Sequence, residues 1–280
     1  MNRKKLNGKI LNGIIYLVLF LALLLTLLPI GWVFSTSMKK GSEIFAKPPR
    51  WIPLSPTLEN YKDVLFGSSI PNAFKNSFLV GIMTTFAALL LGGSAGYAFA
   101  RFKFRGNRLL SLFMLISQML PLTVLMIPMY YMENAVGMVD TKIGLAAAHL
   151  VISLPLVTWM AKGYFKGIPK EVEEAAIVDG CSTMQVLLRI LLPLLKPALA
   201  ATGIYAFISS WNEFALANVL TRSPQSITVP IALNEFSSFF KVDWGDTMAA
   251  AMLITIPIVA AFMLVQKQFV EGLASGAVKG

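Results

Sequence analysis

Glu171, Glu173, Glu174 and Asp179 stand close together in the stretch EVEEAAIVDGCSTMQVLLRILLP, residues 171–193. Carboxylates grouped in this way can accept charge-assisted hydrogen bonds from a basic partner. A second polar group, Trp211-Asn212-Glu213, interrupts an apolar run. Asn and Glu suit the hydroxyls of a sugar, and an indole offers a flat face to a pyranose ring. Gln118 and the single histidine, His149, lie in other apolar runs and are further candidates for the wall of a polar path. His149 falls at roughly the depth of Glu213, so the two are candidate partners. An ionisable residue at that depth needs water or a protein partner. None of these residues pairs a nucleophile with a general base, and no catalytic residue is expected. There is no Cys/His cluster for a metal, and Cys181, the only cysteine, has no intrachain disulfide partner. No G-x-x-x-x-G-K-[ST] loop occurs, so the chain is expected to hold no nucleotide or other cofactor of its own.

The elements that must position these residues are membrane spans. The chain has 280 residues, 56% of them hydrophobic and 14% charged, with a mean hydropathy of +0.69. Soluble domains carry roughly 25% charged residues. Apolar stretches of about 20 residues, enough to cross a hydrocarbon core, recur at about 12–34, 77–100, 109–133, 143–163, 198–220 and 247–266. Pro121, Pro128 and Pro155 interrupt the third and fourth, which is tolerated when neighbouring helices cover the freed backbone groups. The expected fold is an all-α integral membrane protein with six spans. A tail at 1–11 precedes a membrane domain at 12–270, and a second tail, small and flexible by composition, covers 271–280. The first apolar run is longer than a signal core and no small-x-small cleavage site follows it, so it reads as a retained helix.

Orientation follows from the basic residues. Arg3, Lys4, Lys5 and Lys9 crowd the first segment, and Arg101, Lys103, Arg105 and Arg108 crowd the loop RFKFRGNR, both without an acid. With six spans these segments, the 162–197 segment and both termini share one side, which must be the cytosol. The expected location is therefore the cytoplasmic membrane of a bacterium or archaeon, multi-pass. The net charge of +10 is mainly a topology signal. Nucleic acid is not an expected partner, because that would need a basic face on a soluble surface. Membrane lipid is.

Within the 167–197 segment, Gly167-Ile168-Pro169 opens a helix and the glutamates fill its first turns, where the helix dipole favours them. Asp179-Gly180 stops it. Ser182 with Gln185 reads as a capping box that starts a second helix, and Pro193 and Pro197 lead toward the next span. The first helix, about 11 residues, would be about 16 Å long. An amphipathic loop lying on lipid headgroups would carry a basic face. This one is acidic at its start and instead suits a protein partner.

Glu174-Ala175-Ala176, three residues, Gly180, nine residues, Ile190, one residue and Leu192-Pro193 match the EAA loop of ABC importer permeases at every fixed position. The resemblance implies a coupling helix that docks into a cleft of an ATPase subunit, built here from Glu173, Glu174, Ala175, Ala176, Asp179, Gly180, Ile190, Leu192 and Pro193. Glu174 would pair with a basic residue of that cleft, and Gly180 would supply the bend. The stretches PPRWIPLSPTLENY, AGYAFARFKFRG, SSWNEF and LASGAVKG extend the likeness to the carbohydrate-uptake branch and its six-span, maltose-type permease. That implies a heterodimer with a second permease, two copies of an ATPase that bind the ATP and Mg, and an external solute-binding protein. It further implies a tail, Gly276, Val278, Lys279 and Gly280, that contacts the ATPase. Amino acids, polyols or glycerol phosphodiesters are the alternative solutes, and an ion-coupled secondary transporter is the rival class. The rival would require a buried carboxylate pair, whereas apart from Glu133 at the very end of the third run only Glu213 falls within a span.

Other features read mainly as packing. Gly92-x-x-x-Gly96 lets helices approach closely. Ser117, Thr123, Ser153 and Thr158 are expected to join helices. The 35–76 and 221–246 segments are external caps or binding-protein surfaces, and SITVPIALNEF is expected to include a short helix.

Overall fold

The computed structural model describes residues 3–236 and 242–277. Its regular elements are helices: α1 (Arg3–Ser37), α2 (Gly41–Ile44), α3 (Glu59–Gly67), α4 (Ile70–Arg101), α5 (Asn107–Ser117), α6 (Leu122–Ala135) and α7 (Lys142–Gly167). They continue with α8 (Lys170–Val178), α9 (Thr183–Leu194), α10 (Lys196–Trp211), α11 (Ala215–Leu220), α12 (Val229–Asn234) and α13 (Trp244–Ala277). Four are long and apolar enough to cross a membrane: Leu11–Ser37 of α1, α4, α7 and Trp244–Met263 of α13. The number reaches six if each of two bent helix pairs counts as one span.

The interruption expected at Pro121 is a sharp bend, and a second bend separates the short cytosolic helix expected after Ser182 from the run that follows it. α5 and α6 meet at 103°. Pro121 has no N–H to continue the ladder and drives the residue before it out of the helical region. α9 and α10 meet at 79°, with Pro197 in the first turn of the new helix. The expected run 198–220 is itself split, because α10 ends at Trp211 and α11 begins at Ala215. The 35–76 segment is shorter than expected, since α4 already starts at Ile70. At the far end α13 stays helical through Ala277, where composition predicts a loose tail.

The chain divides into two units, Met1–Ser68 with Glu235–Thr255, and Ser69–Asn234 with Ile256–Gly280. In the first, the described side chains of α1 from Leu11 to Ile30 are exposed on every side, which suits lipid and not water. Beyond it, Asn60 donates to the carbonyls of Ser37 (2.8 Å) and Lys39 (2.9 Å). Ser37 meets the Tyr61 hydroxyl at 2.7 Å. Lys39 is 2% exposed, donates to the Arg50 carbonyl at 2.6 Å and lies over the Trp32 ring. Its burial lowers the ammonium pKa, and nearby Glu43 partly restores it.

In the second unit α4 lies against α7. A Cβ on Gly92 would stand 2.7 Å from Val157, and one on Gly96 would stand 2.6 Å from Ala161. Only hydrogen fits there, so the pair of glycines sets the approach of the two helices. At one end of this pair, Ser77 accepts from the Val229 N–H (2.8 Å) and Asn76 donates to the Ile227 carbonyl (2.9 Å). These contacts seat α12, the short helix expected in SITVPIALNEF. Asp140, with a φ of 62°, gathers the same end. Its carboxylate accepts from the Arg222 N–H (2.8 Å), the Ser223 N–H (3.0 Å) and the Ser226 hydroxyl. Burial alone would raise its pKa, but these donors outweigh it and hold the carboxyl far below the usual range. At the opposite end, Tyr97, Phe165, Ala176, Val186, Leu191 and Leu195 form one buried cluster, which binds α8 and α9 to the tips of α4 and α7.

Candidate functional site

Two places collect the polar residues singled out above. The first is the α8–α9 elbow. α8 begins after Pro169, with Glu171 and Glu173 in its first turn. It ends in a Schellman turn: the Gly180 N–H donates to the Ile177 carbonyl (3.0 Å) and the Cys181 N–H to the Ala176 carbonyl (3.0 Å). Gly180 has a φ of 88°, the left-handed conformation that this turn needs. α9 then starts on the expected capping box. Gln185 N–H donates to the Ser182 hydroxyl (3.3 Å), and Ser182 N–H donates to the Gln185 carboxamide (2.8 Å). A π-helical turn at Leu187–Leu191 follows.

The elbow separates the motif residues into two groups. Ala176 is 5% exposed and lies in the buried cluster, against which half-buried Ile190 and Leu192 also pack. These three hold the elbow in place. Glu171, Glu174, Ala175, Asp179 and Pro193 are exposed, and Val178 is 87% exposed. Glu173 departs from the expected outward role. Its carboxylate forms an ion pair with Arg101 at the tip of α4, both side chains being largely buried. Tyr97 donates to the same carboxylate at 3.5 Å, and the Arg101 guanidinium also donates to the Ile168 carbonyl at 2.9 Å. One turn of helix explains the division: residues 173 and 174 differ by about 100° in direction at 3.6 residues per turn. Glu173 faces α4, and Glu174 faces away from it.

The second place is the break between α10 and α11. Glu213 lies past the end of α10 and not along it, as a continuous span would require. Its carboxylate accepts from the Leu216 N–H (2.8 Å) and the Ala217 N–H (3.0 Å), so it caps the first turn of α11. His149 Nε2 lies 3.2 Å from Glu213 Oε2, which places together the two residues matched by depth. The other ring nitrogen of His149 meets the Ser210 hydroxyl at 2.7 Å. Trp211 is 1% exposed. Its ring stacks on Phe207 and meets the Phe74 ring at a near-right angle, and at this burial it is not open to a pyranose. Asn212 alone of the three is exposed.

Gln118 sits at the α5–α6 bend and donates to the Ile152 carbonyl of α7 at 2.9 Å. Pro155 interrupts the backbone ladder of α7 one turn on, and Gln118 joins the two irregular places. Ser117, Ser153 and Thr158 bond to carbonyls of their own helices, which corrects the expectation that they join helices. Gly276 lies in the last turn of α13, and Val278, Lys279 and Gly280 lie outside the described residues.

Sequence reasoning passed over Arg101, Tyr97 and Ser210. In the sequence Arg101 is one basic residue of a topology signal, and the other two are ordinary in apolar helices. The one available sign was position: Tyr97 and Arg101 both fall within AGYAFARFKFRG, a stretch of the resemblance.

Residues 88–275 match the family model described as "Binding-protein-dependent transport system inner membrane component". The chain is 33% identical to the diacetylchitobiose uptake system permease protein of Streptomyces coelicolor, over 99% of this chain and 100% of that protein. It is 38% identical to the trehalose transport system permease protein of Mycobacterium tuberculosis, over 91% and 93% of the two. Among solved structures, a bacterial ABC transporter involved in the import of alginate has a chain that matches with a TM-score of 0.78. That match covers 95% of this chain and 98% of the other at 23% identity.

Proposed function

The chain belongs to the family of binding-protein-dependent transport system inner membrane components, and from that membership we propose that it is a permease subunit of an ATP-driven importer for an oligosaccharide, coupled to its ATPase through α8. Relatives that match over nearly their whole length serve diacetylchitobiose and trehalose uptake, which supports a short sugar chain as the solute. A second permease completes the path, two ATPase subunits bind ATP and Mg, and an external binding protein delivers the solute.

The observation that carries the coupling role is the exposed edge of α8. Glu174, Ala175 and Val178 are exposed, while Ala176 and Glu173 fix the helix from behind. Small apolar residues beside the carboxylates of Glu171 and Glu174 make a surface suited to a cleft with a basic residue. When ATP binding closes the ATPase pair, α8 is carried with its cleft. The path then turns from inward-open to outward-open by rigid-body rocking. The α8 end of α4 and α7 is the cytosolic end, because Lys103, Arg105, Arg108, Lys166 and Lys170 cluster there.

Glu174→Lys reverses the charge offered to the cleft. At several kcal/mol for a like-charge juxtaposition, the ATPase that co-purifies with the permease should fall about tenfold or more. Wild-type recovery of the ATPase together with wild-type uptake would remove Glu174 from the interface. Orientation has its own test. With Cys181 replaced by serine, a cysteine at position 106 should resist an impermeant thiol reagent in intact cells, and one at position 55 should react. Reaction at 106 would invert the assignment of sides.

A further inference from the structure

A cavity of about 710 Å³ opens beside the tip of α4, lined among others by Lys103, Arg108, Leu109, Leu112 and Lys170. Its volume is in the usual range for a bound small molecule, about 300–1,000 Å³. No acidic side chain lines it. Arg101 also borders it, but its charge is matched by Glu173. Lys103, Arg108 and Lys170 form no ion pair or side-chain hydrogen bond among the described residues. Three cations therefore face one hollow without a counter-ion. α5 begins at the same place with no side-chain cap, so the positive end of that helix adds to the field.

The remaining wall is apolar and outward-facing. Phe102 is 50% exposed, Leu109 70% and Leu112 50%. A soluble anion would have no use for such a wall, and an acidic protein segment would leave it uncovered. An amphipathic ligand satisfies both halves, with its phosphate among the cations and an acyl chain along α5. The loop joins the end of the α4 span to the start of α5, which sets the hollow at headgroup depth. A topology signal alone requires only charge on this side, not a concave site with an apolar flank.

We infer that this hollow binds the phosphate headgroup of an anionic glycerophospholipid of the cytosolic leaflet, against the tip of α4 and the start of α8. Basic hollows between membrane helices on the cytosolic side have the chemistry for such headgroups. The inference rests on the cytosolic assignment above, which the cysteine labelling tests independently.

The experiment uses the transporter purified with its partner subunits in phosphatidylcholine nanodiscs doped with a phosphatidylglycerol bearing a photoreactive acyl chain. After illumination, mass spectrometry should find the label on the segment 99–112. Arg108→Gln should weaken that labelling about fivefold, the factor equivalent to about 1 kcal/mol for one basic side chain at an anionic surface. The triple variant Lys103→Gln, Arg108→Gln, Lys170→Gln should abolish it. Lys4→Gln, Lys5→Gln, Lys9→Gln, which removes as many charges from the N-terminal tail, should leave it intact. Millimolar inorganic phosphate should not displace the lipid, and a phosphatidylcholine with the same reactive chain should label the segment weakly. The inference is overturned by any of four outcomes. They are an unlabelled segment, displacement by phosphate, equal labelling by phosphatidylcholine, or loss of label in the tail variant as large as in the triple variant. If the triple variant does not assemble, Arg108→Gln decides alone, since the Arg108 side chain is exposed and makes no ion pair or side-chain hydrogen bond among the described residues.

Discussion

Glu173→Arg should cut solute uptake at least about tenfold while the purified complex still hydrolyses ATP. The Glu173 carboxylate lies between Arg101 and Tyr97, and the side chains of Arg101 and Glu173 are only 8% and 13% exposed. Replacing one member sets two guanidinium groups against each other in a largely dry place. Breaking a buried pair costs about 3–5 kcal/mol, and the lower end applies because neither group is fully enclosed. An energy of that size frees α8 from the tip of α4 without removing its outer face. The ATPase should therefore remain bound through Glu174 and Val178, and hydrolysis should lose its dependence on the loaded binding protein. The swapped pair, Arg101→Glu with Glu173→Arg, restores opposite charges at the same place. It should recover uptake to within a few-fold of wild type. Uptake in the swapped variant as low as in the single variant would exclude the pair as the link, and normal uptake in Glu173→Arg would exclude it outright.

Glu213→Leu should lower the amount of assembled transporter several-fold. Its carboxylate receives the N–H groups of Leu216 and Ala217 and stands against His149. Leucine leaves two N–H groups and the Nε2 of His149 unpaired in a buried site, at about 1–3 kcal/mol for each orphaned group. Glu213→Gln keeps one acceptor oxygen and should lie between wild type and the leucine variant. Asn212 is exposed and its side chain holds no partner among the described residues. Asn212→Leu should therefore leave assembly unchanged and reduce uptake per assembled complex. Measuring assembled complex and uptake in the same membranes separates the two. Normal assembly with lost uptake in Glu213→Leu would return Glu213 to the path. Unchanged uptake in Asn212→Leu would take Asn212 off it.

How much of this was legible in the sequence depends on the distance over which each feature is decided. The places of α1, α4 and α7 along the chain follow from hydropathy, because each apolar run must match the bilayer whatever its neighbours do, although α1 and α4 extend beyond their apolar runs. The capping box of Ser182 and Gln185 and the left-handed Gly180 are equally local, each decided by a few backbone groups. Pro169 at its start, the Gly180 stop and the capping box, read along the chain, located the elbow. Proline at 121 marked an interruption in the third span but not a 103° bend. A proline states which hydrogen bond is missing, and only the surrounding helices decide whether the chain continues or turns. The end of α10 escaped notice because hydropathy runs on through Ala215–Leu220, whereas the Glu213 carboxylate competes for the N–H groups that a continuous helix would use.

Only the tertiary structure decided which way each carboxylate points. Glu173 and Glu174 are neighbours with the same chemistry, and composition gives them the same role. The packing of α8 on α4 and α7 sends one inward to Arg101 and the other outward. Tyr97 and Glu173 are 76 positions apart, and His149 and Ser210 are 61 apart. No local propensity connects such pairs. Tyr97 and Glu173 meet across the end of α4 that Gly92 and Gly96 allow to close on α7, and His149 and Ser210 meet where α10 packs on α7.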